Sequence, residues 1–361
     1  MPKYDIHPQI EKAETLPSSF YRSTEVFEAL KEQVFTRSWQ FVGDESLVAL
    51  EGQVHPFAFE GLGEPMLLSR DAEGIRNLSN VCTHRGNILC HHPGKHRNIT
   101  CAYHGRRFGL DGKFQHMPQF KAAEGFPREA DHLHEFPLKQ FGPWLFTSMG
   151  DAYDFTDVID AMNRKVGFMP LHEFQLDADR SKDYLVNAHW ALYCDNYLEG
   201  FHIPFVHADL NAALDYGSYE TVLYKHVNLQ VGHTNGGEDV FDFPEGHEDY
   251  GKSIAAYYFW VFPNMMFNFY PWGLSVNVVR PISVDRTRVS FISYVYDDTK
   301  LDSGAGALLD KVEREDEFVV EGVQRGMKSR VYQTGRYSPA MEKGVHHFHR
   351  LLADFLSNPQ V

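Results

Sequence analysis

The sequence predicts an α+β protein in which a small all-β module sits between an N-terminal helix and a larger mixed domain. Three observations carry this. The chain has 361 residues, about two domains at roughly 150 residues each. Between Gln40 and about Gly150, short alternating or apolar runs are separated by Gly, Pro and Asp, whereas beyond Phe155 strand and helix periodicities mix. Neither texture contains an internal repeat or a low-complexity segment, which sets aside solenoids and propellers. The expected divisions are residues 1–39 for a helical segment packing on the mixed domain, 40–154 for the β module and 155–361 for the mixed domain.

Each element has its own warrant. Residues 23–39 read as a helix, with Glu25 and Glu28 in the first turn and Val26, Leu30 and Val34 recurring every four residues. Strands are expected at 53–59, 65–69, 74–80, 99–103 and 144–148. In the second half, 174–187 reads as a strand, and 188–209 as a helix that Pro204 must bend or end. Residues 257–262 and 265–270 flank the turn pair Pro263-Asn264 and form an aromatic-rich hairpin. Strands at 276–281 and 288–297 and helices at 308–330 and 340–356 complete the domain. The Gly-rich, acidic stretch 232–251 reads as a surface loop or lid.

Composition narrows the function. Hydrophobic residues at 43% and charged residues at 23% fit a globular chain, not a disordered one. With 34 Lys and Arg against 49 Asp and Glu the net charge is −15, so nucleic acid and anionic membrane are disfavoured as main partners. The longest apolar run, 254–262, is far below the ~20 residues that span a bilayer. Residues 1–20 lack a charged-then-apolar signal pattern, which points to the cytoplasm. In a reducing compartment the four cysteines, Cys82, Cys90, Cys101 and Cys194, point to metal before disulfides.

Two of them sit in a repeated pattern: Cys82-Thr83-His84-Arg85-Gly86 and Cys101-Ala102-Tyr103-His104-Gly105. Each half supplies one thiolate and one imidazole on a tight turn. Two thiolates suit one iron and two neutral imidazoles the other, the ligation of a Rieske 2Fe-2S centre. A structural zinc site is the alternative, but zinc fingers pair like with like and space their histidines more widely. Cys90 reads as a small buried apolar side chain, and His91, His92, His96 and His116 as loop residues. From Cys82 to Leu110 there are five cations (Arg85, Lys95, Arg97, Arg106, Arg107) and no acid. This patch suits an acidic electron donor, a solvated loop surface or an acidic neighbouring subunit equally well.

A second constellation lies in Asp195-Asn196-Tyr197-Leu198-Glu199-Gly200-Phe201-His202, with His207 five residues on. Pro204 between the histidines lets them converge, and two histidines need an anionic third ligand to form the facial triad of a non-haem ferrous oxygenase. On helix 308–330, Leu309, Val312, Val320, Val323 and Met327 form an apolar stripe with Asp316 at its middle. A lone carboxylate there is costly unless paired or metal-bound, so Asp316 is the candidate ligand and Glu313 the runner-up. Glu315 and Glu317 point to the flanks, and Glu321 lies off the stripe as a solvated or salt-bridged group. Glu199, three residues before His202, is the natural acceptor for that imidazole's other N–H.

With both sites read, the chain resembles the catalytic α subunits of Rieske non-haem iron oxygenases over essentially its whole length. The resemblance implies a Rieske β domain followed by a helix-grip (START/SRPBCC-like) antiparallel-sheet catalytic domain, assembled as a cyclic trimer. Carried over by motif, Cys82, His84, Cys101 and His104 hold the 2Fe-2S cluster, and His202, His207 and Asp316 hold mononuclear Fe(II). The family's bridging carboxylate falls at Glu199, where many members have aspartate, and Asp195 and Asn196 are further catalytic candidates. Arg106 also departs from the family, which often has tryptophan there.

The segment 195–207 and the stretch 332–338 look most like the choline, betaine and carnitine branch. A trimethylammonium substrate suits an aromatic lining by cation–π attraction, for which Tyr197, Phe205, Tyr258, Trp260, Phe267, Phe269 and Trp272 are available. A small aromatic substrate would like the same lining. The family uses O2 as co-substrate, and the absence of a nucleotide fingerprint implies that NAD(P)H acts through a separate reductase or ferredoxin. Two rivals are a pure Rieske electron carrier, which needs no second iron, and a zinc-stapled binding protein.

Overall fold

The computed structural model describes residues 3–59, 61–150, 152–207, 219–234, 236, 239–301 and 309–357. The chain divides into two compact units, Thr36–Tyr153 and Met1–Phe35 with Asp154–Val361. In the first unit every strand pairing is antiparallel. Gln40–Asp44 pairs with Trp144–Thr147, which pairs with Leu138–Phe141. A five-stranded sheet runs Gly94–Lys95, Gln53–Ala58, Pro65–Arg70, Ile75–Ser79, Glu135–Phe136. A small sheet of Ile99–Thr100, Arg107–Phe108 and Phe114–His116 carries the second Cys-His loop. Cys82, Cys90 and Cys101 lie in one apolar cluster with Val54, Leu67, Leu78 and Phe108.

The other unit is built on a seven-stranded antiparallel sheet. Its order is Gln175–Val186, Arg286–Val295, Gly273–Ser283, Met265–Tyr270, Ile254–Val261, Val227–His233, Glu220–Leu223. Met265–Tyr270 is buried on both faces, as expected where helices and loops cover a sheet. The helix Trp190–Tyr197 packs between Leu309–Gly326 and Lys343–Ser357 and touches Gly273–Ser283. The N-terminal segment is tied to the C-terminal part by backbone bonds from Thr15 to Gly335 (3.1 Å) and Ser18 to Gln333 (2.7 Å).

Three sequence expectations change. The first helix covers only Thr24–Leu30, capped by Ser23, before Lys31–Phe35 widens into a π turn. The helix expected over 188–209 stops at Tyr197, and Pro204 opens a separate turn, Ile203–Val206, because proline is tolerated where no intrahelical N–H is needed. Asp209 and Leu308 lie outside the described residues. The described part of 232–251 is not a free lid. Phe241 and Phe243 are buried against Tyr257, and buried Asp249 accepts from Lys165 (2.7 Å), Lys252 (2.6 Å) and Tyr257 (2.6 Å).

Burial opposes ionisation of Asp249, but these three donors outweigh it and hold the carboxyl well below its ordinary 3.8. Its stabilisation is therefore complete above that value and is lost as acid protonates the folded form. Asp249→Ala removes the acceptor shared by three donors but leaves Lys165 its second partner, Glu248 (3.1 Å), and is expected to lower stability at neutral pH by about 1–3 kcal/mol. Urea unfolding at pH 7 measures it, and the gap to wild type should narrow in strong acid.

Candidate metal centres and active-site cavity

The two Cys-His loops share one hydrogen-bond pattern. Cys82 N donates to Asn87 O and Gly86 N to Cys82 O (2.8 and 3.0 Å), while Cys101 N donates to Arg106 O and Gly105 N to Cys101 O at the same distances. Gly86 and Gly105 close the turns at φ 69° and 72°, a region that disfavours any side chain. His84 and His104 stand with ring centroids 4.8 Å apart. Each has its Nδ1 buried and without a partner among the described residues. Cys82 and Cys101 are free and close enough for their sulfurs to interact. Burial works against a Cys101 thiolate, yet the N–H groups of Tyr103 and His104 and the Asn87 amide outweigh it and lower its pKa. Two unsatisfied imidazole nitrogens beside two thiols fit a mixed-ligand 2Fe-2S cluster.

Arg106 is not part of the exposed cationic patch. Its guanidinium is 2% exposed, pairs with Asp131 at 2.6 Å and lies over Phe114 and Phe126. Asp131 O also accepts from Thr83 in the first loop (3.0 Å), so one turn holds both loops. Arg85, Lys95, Arg97 and Arg107 remain exposed. Reading 82–110 by itself missed the pairing because the acid lies beyond that window.

In the other unit His202, His207 and Asp316 come together, with candidate ligand atoms all within 4.8 Å of one another. Asp316 Oδ1 lies 3.0 Å from His207 Nε2 and 3.5 Å from His202 Nε2, and accepts from Asn196 Nδ2 at 2.6 Å. Glu199 Oε1 takes His202 Nδ1 at 2.7 Å, and Glu315 Oε2 takes His207 Nδ1 at 2.8 Å. Both imidazoles thus present Nε2 to the same point. Burial penalises charge here, but hydrogen bonds donated to Asp316 and Glu199 outweigh it and raise His202 to about 9. Asp316 is likewise buried, yet the two histidines hold it below its usual range. The pocket demands positive charge, and a divalent ion would replace the two Nε2 protons. Two imidazoles and one carboxylate fit Fe(II).

The helix stripe is only partly as expected. Val320 and Met327 are buried, but Val323 is 40% exposed and Glu313 is buried in its stead. Leu309's side chain lies outside the described set. Glu315 is the missed residue: it was placed on a flank, whereas it orients His207. Glu321 caps the backbone and side chain of Asn187. Asp195 turns to Tyr21 (3.0 Å) and His349 (2.8 Å), not to the triad.

Beside the triad lies a cavity of about 120 Å³, comparable with the ~150 Å³ that accommodates one benzene. Tyr197 and Tyr258 line it as expected, but Phe205, Trp260, Phe267, Phe269 and Trp272 do not. Phe205 is 81% exposed. Trp260 packs on Phe348, and Trp272 stacks on Tyr270. Phe267 and Phe269 point to the opposite face of the sheet from Asn268 and Tyr270, as strand alternation requires. The lining residues the sequence did not reveal include Tyr193, Tyr219, Gln230, Asn268, Tyr270 and Asn277. Cross-strand register places Gln230 beside Tyr258 and Tyr258 beside Asn268. Isolated polar residues inside apolar strands were the available signal.

Both units match known family models. Residues 38–137 match the Rieske [2Fe-2S] domain, and 172–358 match the ring hydroxylating alpha subunit (catalytic domain). The chloroplastic choline monooxygenase of Beta vulgaris is 30% identical over 98% of this chain and 80% of its own. The carnitine monooxygenase oxygenase subunit of Escherichia coli K12 is 30% identical over 95% and 94%. A quaternary ammonium Rieske monooxygenase studied for carnitine oxidation superposes with TM-score 0.77 at 25% identity, covering 97% of this chain and 99% of that one. Naphthalene 1,2-dioxygenase shares the fold, with TM-score 0.74 at 20% identity over 99% and 95%. No helix among the described residues is long and apolar enough to cross a membrane.

Glu315→Gln removes the carboxylate behind His207 and is expected to weaken iron binding by about 10- to 100-fold. Titration of the metal-free protein with Fe(II) under anaerobic conditions measures this, and an unchanged affinity would contradict the orienting role.

Proposed function

This chain belongs to the α subunits of Rieske non-haem iron oxygenases, and from that premise we propose that it oxidises a small, cationic ammonium compound. Cys82, His84, Cys101 and His104 would hold the 2Fe-2S cluster, and His202, His207 and Asp316 the mononuclear iron. Together these groups supply electron delivery and dioxygen activation. The family's reaction places one or both oxygen atoms on a C–H or ring position, with electrons from a reductase or ferredoxin. Attack on an N-methyl group would release formaldehyde and leave a demethylated amine.

The single observation behind the substrate is the composition of the cavity wall. Tyr193, Tyr197, Tyr219, Tyr258, Tyr270 and Phe291 offer aromatic faces to a cation, each good face being worth roughly 0.5–2 kcal/mol. Glu199, Glu313 and Asp316 also line it, and no lysine or arginine is among the lining residues. A substrate carboxylate would find no cation there except the iron. An uncharged arene would use the rings but leave Glu313, the lining carboxyl not committed to the metal ligands, without a counter-charge. The better match is an ammonium compound whose other end is neutral, such as an amino alcohol, rather than a zwitterion.

The chain's own residues prepare the site in three ways. Asn196 fixes one oxygen of Asp316, Glu199 and Glu315 fix the imidazole planes, and Tyr197, bonded to Asn268 at 2.6 Å, anchors the wall. Glu199 is also the bridge through which the cluster of a neighbouring subunit in a homotrimer would couple to His202. The exposed cations Arg85, Lys95, Arg97 and Arg107 suit an acidic electron donor. Four unpaired cysteines suit a reducing compartment such as the cytoplasm.

Substrate-dependent oxygen uptake with a reductase should favour trimethylammonium alcohols over benzoates, and reconstituted protein should carry about three irons per chain. His202→Ala is expected to abolish uptake and leave the visible spectrum of the cluster intact. Glu199→Gln should retain both metal centres yet slow single-turnover oxidation of the cluster at least tenfold. Equal turnover of benzoates would overturn the substrate reading.

A further inference from the structure

Glu313 lies on the Leu309–Gly326 helix three residues before Asp316, so the two residues share one helical face, their backbones about 4.5 Å apart along the axis, and both line the cavity. Glu313 is 2% exposed. Tyr193 donates to Oε2 at 2.5 Å. Oε1 is buried with no partner among the described residues. An uncompensated carboxyl oxygen in a closed site is costly, and the ordinary remedies are absent here: neither an arginine nor a lysine lines the cavity. Sequence reading left Glu313 only as a second choice for the metal, but the three residues that converge on the metal point are His202, His207 and Asp316.

We propose that Glu313 is the specificity-determining counter-charge for the substrate's ammonium group, held in position by Tyr193. The inference rests on the ammonium reading above and assigns its charge selection to one residue. Tyrosine rings line the cavity, and Glu313 is the lining carboxyl that neither the metal nor a ligand histidine claims.

The resting state is consistent with this. Burial raises Glu313 to about 8, and Asp316 and Glu317 push in the same direction against the Tyr193 hydrogen bond and Arg314. Tyr184, from the strand Gln175–Val186, donates to Asp310 (2.7 Å) and lies near enough for the Glu313 charge to raise its pKa further. The Glu313 carboxyl, so raised, is largely protonated at neutral pH, and a cation beside it favours the carboxylate. Charge appears where and when a ligand compensates it.

The test compares choline with its uncharged tert-butyl isostere, 3,3-dimethylbutan-1-ol, by calorimetric binding to the iron-loaded holoenzyme. Wild type should prefer the cation. Glu313→Gln, which keeps the acceptor for Tyr193, should lower that preference at least about tenfold and leave binding of the neutral alcohol nearly unchanged. Glu313→Asp should fall between. Tyr193→Phe, which keeps the carboxyl but frees it, should lose less preference than Glu313→Gln. Iron content and the cluster spectrum confirm that each variant is assembled. A cation preference that survives Glu313→Gln overturns the role of this residue and leaves the ammonium reading standing. No cation preference in wild type overturns both. Equal loss for both ligands in Glu313→Gln identifies a packing role and overturns the proposal.

Discussion

One carboxylate oxygen organises the catalytic unit. Asp316 Oδ1 is the meeting point of His202, His207 and Asn196, and it sits on a helix face turned into the protein. An unpaired carboxylate in that position would be expelled or protonated. It stays because three donors from two other segments converge on it. That convergence fixes how the Leu309–Gly326 helix packs against Trp190–Tyr197, since Asn196 must reach it from the last turn of that helix. Metal site and helix packing are therefore the same constraint.

The break after Tyr197 follows from it. A continuous helix would place His202 and His207 on different faces, because five residues correspond to 500° at 100° each. Chain reversal at 198–202 and a new turn starting at Ile203 bring both imidazoles to Asp316. Glu199 stabilises that irregular backbone: Oε2 accepts from the N–H groups of Phe201 and His202, while Oε1 holds the His202 ring. One side chain thus shapes the loop and orients the ligand. A glutamate has the length to reach both its own turn and the ring.

How much of this was legible in the sequence depends on how local each feature is. The Cys-His turns and the segment 195–207 write their chemistry within a few residues, and their cysteines and histidines do converge, whereas Asp195 and Phe205 turn elsewhere. Long periodic elements, such as the helix now at Lys343–Ser357 and the strand at Gln175–Val186, were readable for the same reason. The cavity wall was not. Met265–Tyr270 is buried on both faces, so hydrophobicity cannot say which side looks into the cavity. Only register settles that Asn268 and Tyr270 face it and Phe267 and Phe269 do not. Glu315 and Arg106 were misplaced for a related reason: the partners that define them, His207 and Asp131, are distant in sequence.

The charge distribution then separates the two centres by kind. Around the cluster loops the buried cation Arg106 is matched by Asp131, and the surplus cations stand in solvent, where they can act on an approaching partner. Around the triad the surplus is anionic and internal: Glu199, Glu315 and Asp316 are spent on the metal ligands, and Glu313 faces the cavity. Buried like charges repel, so this second site is at its least favourable when empty and gains most from cations that enter it. A ferrous ion held by His202, His207 and Asp316 would offset the repulsion among the carboxylates committed to the histidines. It would leave Glu313, bonded through one oxygen only, still uncompensated. A cavity built this way selects its organic ligand by charge before shape, because tyrosine rings accept many outlines but a lone buried carboxyl accepts one sign.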